Sequence, residues 1–217
     1  MTKVYFVRHC EAEGNLKRIF QGSTDLDITE LGAKQLELLS LRFKNIHLDK
    51  IYTSPLIRAK KTAYAVSGNR DIPVIADKNF TEIHGGIVEG KPFLKSFSEI
   101  EGLGEIWNNS PQDFAPEGSE PMRKAYERIW EAVLSAVREN KDKTIAIASH
   151  GGVARCLMCR LMFGTIERLK DTPWCENTGV SLIEFDDDFN ATLVFSSDCS
   201  HLPEELLPKR SRIAEVK

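Results

Sequence analysis

The sequence predicts an α/β fold with a mainly parallel sheet, on three observations. Short apolar runs alternate with segments of helical period along the chain. Val4-Tyr5-Phe6-Val7 is rich in β-branched and aromatic residues and reads as a buried central strand, and TIAIAS at 144–149 is a second very apolar strand. Both end abruptly in polar residues, Arg8-His9 and His150. Such residues cost desolvation inside a sheet, whereas the crevice past the carboxyl ends of parallel strands accommodates them.

The elements follow in order. After the Arg8-His9 strand end, 13–22 reads as a short helix or loop in which Asn15, Arg18 and Gln21 either line the crevice or are simply solvated. Thr29 opens a helix to about Lys44, with Leu36, Leu39 and Phe43 as its apolar stripe. A strand at 49–54 leads through Ser54-Pro55, a cap and first-turn pair, into a helix from Leu56 to about Val66. Arg58 falls in the first turn of that helix, where a cation is out of place unless it faces an anion shared with the helix end. A third strand is expected at 72–75, then the Gly-rich loop FTEIHGGIVEG at 80–90. The aromatic, Gly- and Pro-containing stretch to 118 reads as one or two short helices. Residues 119–140 carry Met122, Ala125, Tyr126, Ile129, Val133 and Val137 at helical spacing, for core packing. The second His-terminated strand leads into a helix to about Phe163. Strands at 178–185 and 191–195 join through Asp186-Asp187-Asp188 as a hairpin, and one antiparallel strand at the sheet edge is compatible with the whole. From Ser200 the chain is Pro-rich and then basic (Lys209, Arg210, Arg212), with no apolar pattern to hold it, so that it is either mobile or folded over the crevice.

Composition narrows the function. The chain has 217 residues, 29 basic and 32 acidic, so its net charge of -3 supplies no field for nucleic acid or an anionic membrane. Any anionic ligand is caught locally. Five cysteines without framework spacing predict free thiols and a cytoplasmic location. No apolar run approaches a membrane span.

Two distant strand ends each deliver a histidine, while a strand end and a helix start deliver Arg8 and Arg58. Side by side they make a pocket for a tetrahedral oxyanion, since Arg forks match phosphate oxygens bidentately. On residue type alone, histidines satisfied by neighbouring carbonyls remain the alternative.

VRHCEAEGN at 7–15 resembles the arginine-histidine signature of the histidine phosphatase superfamily, which includes the cofactor-dependent phosphoglycerate mutases. QGSTDLDITELG at 21–32, SPLIRAKKTA at 54–63, TEIHGGIVEG at 81–90 and SHGGV at 149–153 are similar too, in the family's order. The resemblance implies a three-layer α/β sandwich of the phosphoglycerate mutase-like kind: one domain over 1–217, with 91–118 as a cap or lid and 200–217 as a tail. It makes His9 the nucleophile that becomes phosphohistidine. Arg8, Arg58 and His150 would hold the phosphoryl oxygens, and Glu82 would be the general acid. Asn15, Gln21, Gly22, His84 and Gly151 are then substrate-binding candidates, and Glu11 orients the site.

The chemistry is consistent with that assignment. Phosphoryl transfer needs positioning, charge neutralisation and a proton for the leaving group. Two Arg residues supply charge, and no Walker loop, carboxylate cluster or His/Cys ligand set points to a metal or cofactor. His9 must be neutral to attack, while an imidazolium at His150 would help hold a dianion, so the two are expected to titrate differently. An acidic pH optimum follows if binding needs charged His150. Cys10 stands where the family usually has a small residue; it reads as a tolerated small side chain, with a redox-sensitive thiol as the alternative. Cys156 and Cys159 read as buried residues within a helix.

Family mutases carry a longer insertion between the acid and the second histidine. The short interval from Glu82 to His150 favours a phosphatase of a small phosphate monoester, which would be a phosphorylated metabolite. A cobalamin-pathway nucleotide phosphatase and a broad-specificity phosphatase both fit. The rivals are a phosphoglycerate mutase and a non-catalytic module for phosphorylated ligands, and a homodimer stays open.

Overall fold

The computed structural model describes residues 1–207, so Lys209, Arg210 and Arg212 lie outside the described residues. Its strands are β1 (Thr2–Arg8), β2 (Lys50–Thr53), β3 (Val74–Ala76), β4 (Thr144–Ser149), β5 (Val180–Phe185) and β6 (Ala191–Asp198). They form one sheet in the order β3-β2-β4-β1-β5-β6. β1, β2, β3 and β4 pair in parallel, whereas β5 is antiparallel to both its neighbours. The reversed strand therefore lies inside the sheet, not at its edge as the sequence suggested. The acidic turn explains why: the Asp186 carboxylate accepts the N–H groups of Asp188 and Asn190, closing a hairpin that carries β6 to the edge.

Alternation along β4 divides the core. Ile145 and Ile147 face a cluster built with Ile129, Val133 and Leu157, and Ala146 and Ala148 face one built with Leu39, Phe43 and Val66. The first cluster is covered by helices α6 (Met122–Glu139) and α7 (Gly151–Phe163), the second by α2 (Glu30–Phe43) and α3 (Ile57–Ser67), counting α1 as the single turn Glu13–Leu16. The layers are thus helix, sheet, helix. Burial drives this arrangement: replacing fully buried Ile129 by Ala would cost about 2–5 kcal/mol. Among the described residues no helix is long and apolar enough to cross a membrane.

Thr29 caps α2 as the sequence suggests, its side chain accepting the Gly32 N–H at 3.0 Å. At α3 the cap is shared. Ser54 Oγ accepts the Leu56 N–H, but the Ile57 N–H goes to the carboxylate of Asp25, 2.7 Å away. That contact fixes the 21–25 loop over the start of α3. Between β3 and α6 lie two short helices, α4 (Phe93–Glu99) and α5 (Leu103–Asn109). Their aromatic residues pack on one another, with Phe93 and Phe97 centroids 4.1 Å apart and Trp107 5.2 Å from Phe97.

Residues 199–207, the first part of the tail, are held. Leu202 is buried, Arg42 donates to the Asp198 carbonyl and meets His201 Nδ1 at 3.1 Å, and the Gln35 amide donates to the Leu206 carbonyl. His201 is half-buried, and burial with Arg42 nearby lowers its pKa to about 4.

Candidate active site

In the parallel β1–β4 pair Arg8 stands opposite Ser149, so the chain leaves both strands at the same level. The His9 N–H donates to the Ser149 carbonyl at 2.8 Å, and His150 follows on the adjacent strand end. Their buried rings meet edge to face, with centroids 5.2 Å apart and planes inclined by 61°. His9 Nδ1 lies 2.6 Å from the Cys10 carbonyl oxygen. A carbonyl only accepts, so Nδ1 carries the ring proton and Nε2 keeps its lone pair. Asn177 Nδ2 donates to the His9 carbonyl at 2.9 Å and fixes the backbone of the same residue.

The guanidinium groups are held by backbone carbonyls. Arg58, fully buried, donates to the carbonyls of Thr24, Gln21 and Gly22 at 2.9 to 3.1 Å. Arg8 Nη1 donates to the Cys175 carbonyl at 2.5 Å. These contacts explain a cation in the first turn of α3: its hydrogen-bond partners are loop carbonyls, and the Glu82, Asp25 and Glu89 carboxylates lie near enough to favour its charge. Buried polar atoms without a protein partner include Arg8 Nε, Arg58 Nε, both ring nitrogens of His150 and the side-chain amide of Gln21. Buried polar groups ordinarily find partners, so such a set beside one cavity is a candidate site for an acceptor-rich group.

Glu82 lies across the start of α7. Its carboxylate accepts the N–H groups of Gly152 at 2.8 Å, Val153 at 3.1 Å and its neighbour Ile83 at 3.0 Å. A side chain at either glycine there would press on one of these polar groups. A Cβ on Gly152 would lie 2.7 Å from Glu82 Oε1, and one on Gly151 would lie 3.0 Å from Arg8 Nε.

Burial lowers the pKa of both His9 and His150 well below the ordinary imidazole value, and Arg58 and Arg8 push each further down. Both rings are therefore neutral at physiological pH. This corrects the expectation of an imidazolium at His150 and of different titration, because burial beside two guanidinium groups favours the neutral form in both. An acidic optimum cannot rest on His150 being charged before substrate arrives. Burial also raises the Cys10 thiol to about 12, which leaves it a buried thiol and not a thiolate sensor.

His9 opens into a cavity of about 940 Å³, which Arg8, Glu11, Asn15, Gln21 and Glu82 also line. Arg58, His150 and Gly151 lie buried behind it. Gly22 contributes its carbonyl to Arg58. His84 does not join them: it is exposed, its Nδ1 accepts the Gly86 N–H, and it does not line the cavity. The inward-facing acceptor of that loop is Glu89, whose carboxylate takes the N–H groups of Gly85 and Thr24 and so ties the 21–25 loop to the Glu82 loop.

Sequence reasoning missed the far wall. Trp174, Glu176 and Asn177 reach the cavity from the segment before β5, Glu205 and Leu207 from the end of the described chain, and Phe20, Phe93 and Trp107 from the side of the short helices. All five cysteines are free, and Cys156 and Cys159 are buried in α7. Among the described residues no three His, Cys, Asp or Glu side chains gather to hold a metal ion.

The model of the histidine phosphatase superfamily (branch 1) matches residues 4–198. A putative phosphoserine phosphatase 2 of Hydrogenobacter thermophilus is 30% identical over 201 residues, covering 93% of this chain and 98% of the relative. Among solved structures, YhfR of Bacillus stearothermophilus superposes with a TM-score of 0.87 at 32% identity, covering 93% of this chain and 99% of that one. A mutant phosphoserine phosphatase of Entamoeba histolytica in complex with phosphoserine gives 0.79 at 26% identity, covering 94% of this chain and 100% of that one.

Proposed function

This chain belongs to the histidine phosphatase superfamily, and from that membership and the geometry at His9 we propose that it hydrolyses small phosphate monoesters through a phosphohistidine, without a metal. The observation that carries the reading is the His9 ring. Its Nδ1 proton is committed to the Cys10 carbonyl, which leaves Nε2 as the nucleophile in a cavity flanked by unpartnered donors.

In the first step Nε2 attacks phosphorus and an N–P bond forms as the bond to the leaving oxygen breaks. The three remaining oxygens are held by Arg8, Arg58 and His150, whose charge and donors neutralise the transition state. The proton of a protonated Glu82 goes to the leaving oxygen. In the second step the Glu82 carboxylate takes a proton from water, which attacks phosphorus, and the N–P bond breaks to release phosphate and neutral His9. The arriving dianion brings the two guanidinium groups an anionic hydrogen-bond partner in place of the carbonyls alone.

The test is inorganic phosphate release from an aryl phosphate, phosphoserine and 3-phosphoglycerate, all in chelator, for wild type and His9→Ala. Release that survives chelation and disappears in the variant supports the reading. Conversion of 3-phosphoglycerate to its 2-phospho isomer without release would replace it with a mutase.

A further inference from the structure

The cavity is far larger than its phosphate end requires, and four aromatic side chains, Phe20, Phe93, Trp107 and Trp174, are among those that line it. Trp107 projects from α5, anchored by Phe97 at 5.2 Å and Phe114 at 5.1 Å between centroids. Trp174 comes from the opposite direction, on the segment between α7 and β5, and is 37% exposed. The two indoles meet with centroids 6.0 Å apart and planes inclined by 30°. They belong to different parts of the structure and both line the cavity that His9 opens into.

Trp174 is not placed by chance packing. Arg155, buried one turn and a half into α7, lies with its guanidinium carbon 4.7 Å from the Trp174 ring centroid. The same guanidinium donates to the carbonyls of Thr172 at 2.9 Å and Lys170 at 3.2 Å, clamping the backbone that leads to the indole. α7 thus begins at the phosphoryl site with His150 and, through Arg155, also sets the far wall.

The charge of the remaining lining points the same way. Among the described residues, Glu11, Glu30, Glu176 and Glu205 stand on the cavity wall beside Glu82, against Arg8 at the phosphoryl end and Arg18 as a further cation. A leaving group that carries a carboxylate would meet like charge there. An uncharged ring would meet two indoles.

Resting on the phosphatase reading above, we propose that Trp107 and Trp174 select phosphate monoesters whose leaving group carries an apolar ring, with Arg155 as the positioning residue for Trp174. Ring-on-ring contact and burial of apolar area supply the discrimination.

The experiment compares 3-phenylpropyl phosphate with propyl phosphate, whose leaving alcohols differ by a ring and hardly in acidity, so the chemical step is matched. The readout is the ratio of their kcat/KM values, in which any general loss cancels. Wild type should prefer the phenyl ester by about tenfold or more, as burying most of a phenyl ring would give. Trp174→Ala and Trp107→Ala should bring the ratio close to one, Trp174→Phe should keep most of it, and Arg155→Met should lower it through KM. Equal kcat/KM for the two esters in wild type, or a ratio unmoved in both alanine variants, overturns the proposal. If neither ester is hydrolysed the phosphatase reading fails instead. Tryptophan quenching by 3-phenylpropyl phosphonate against propyl phosphonate then still decides, since equal affinities would sink the ring preference and a tighter phenyl ligand would uphold it.

Discussion

Arg8 stands directly opposite Ser149 across the parallel β1–β4 pair, and from that register the rest of the site follows. The next residue on each strand is a histidine, so two positions 141 apart in sequence come together with no loop having to bring them there. A slip of one residue would turn both strand ends over. The site is as rigid as the sheet, which suits a reaction governed by positioning.

Removing the nucleophile should be nearly complete in effect. His9→Ala is expected to lower kcat by at least about 10³-fold, with no acid-labile phosphoenzyme after a rapid quench. A phosphoenzyme of normal amount in the variant would move the nucleophile elsewhere.

The neutral, buried histidines make stability depend on pH. With folded-state pKa values of His9 and His150 lowered beneath the ordinary 6.5, the unfolded chain binds more protons once the pH falls below that value. Stability therefore drops on acidification, by up to about 1.4 kcal/mol per pH unit for each histidine, until the folded-state values are reached. Urea midpoints at pH 7.5 and 5.5 measure this, and saturating vanadate should flatten the dependence. A His9→Ala variant should lose part of it. An unchanged midpoint across that interval would show that the rings titrate normally.

Arg58 is braced by three loop carbonyls while sitting beside two histidines. Arg58→Met would strand those carbonyls, each costing about 1–3 kcal/mol where no water replaces the donor. It would also remove the cation that presses both imidazoles toward neutrality. The variant should be destabilised, bind vanadate poorly, and show His9 and His150 titrating at higher pH by NMR. Titration unmoved from wild type would mean that burial and Arg8 set these values without Arg58.

Much of this site was legible in the sequence because its parts lie where a pattern stops. An apolar strand broken by Arg8-His9, another by His150, and a cation in the first turn of α3 are each visible as a local conflict. What stayed hidden is held by partners far along the chain. Trp174 and Asn177 sit in a stretch without period, and they matter only because Arg155 and the His9 carbonyl reach them. Residues 199–207 lack an apolar pattern and are held instead by side chains of α2, Gln35 on the Leu206 carbonyl and Arg42 against the His201 ring. His84 misled for the converse reason: a histidine within the acid loop suggested a ligand, but the turn at Gly85-Gly86 faces it outward. The inner position of β5 was likewise beyond reach, since strand order depends on where a hairpin docks and not on its own residues.

The approach of Gly152 to Glu82 gives the sharpest test of the acid. A methyl group at 152 would sit 2.7 Å from Glu82 Oε1, closer than any ordinary contact. The carboxylate would have to leave its N–H cradle at the start of α7. Gly152→Ala should therefore act on catalysis as Glu82→Gln does, by withdrawing the proton donor and not the phosphate site. A proton matters most to a leaving group that is a strong base, so both variants should lower kcat for propyl phosphate about 10²-fold or more. p-Nitrophenyl phosphate, whose leaving group departs as a stable anion, should lose much less as long as phosphoenzyme formation limits the rate. Vanadate affinity should change little in either variant. Equal losses on the two esters would show instead that residue 152 disturbs Arg8 or His150, and Glu82 would lose its assignment as the acid.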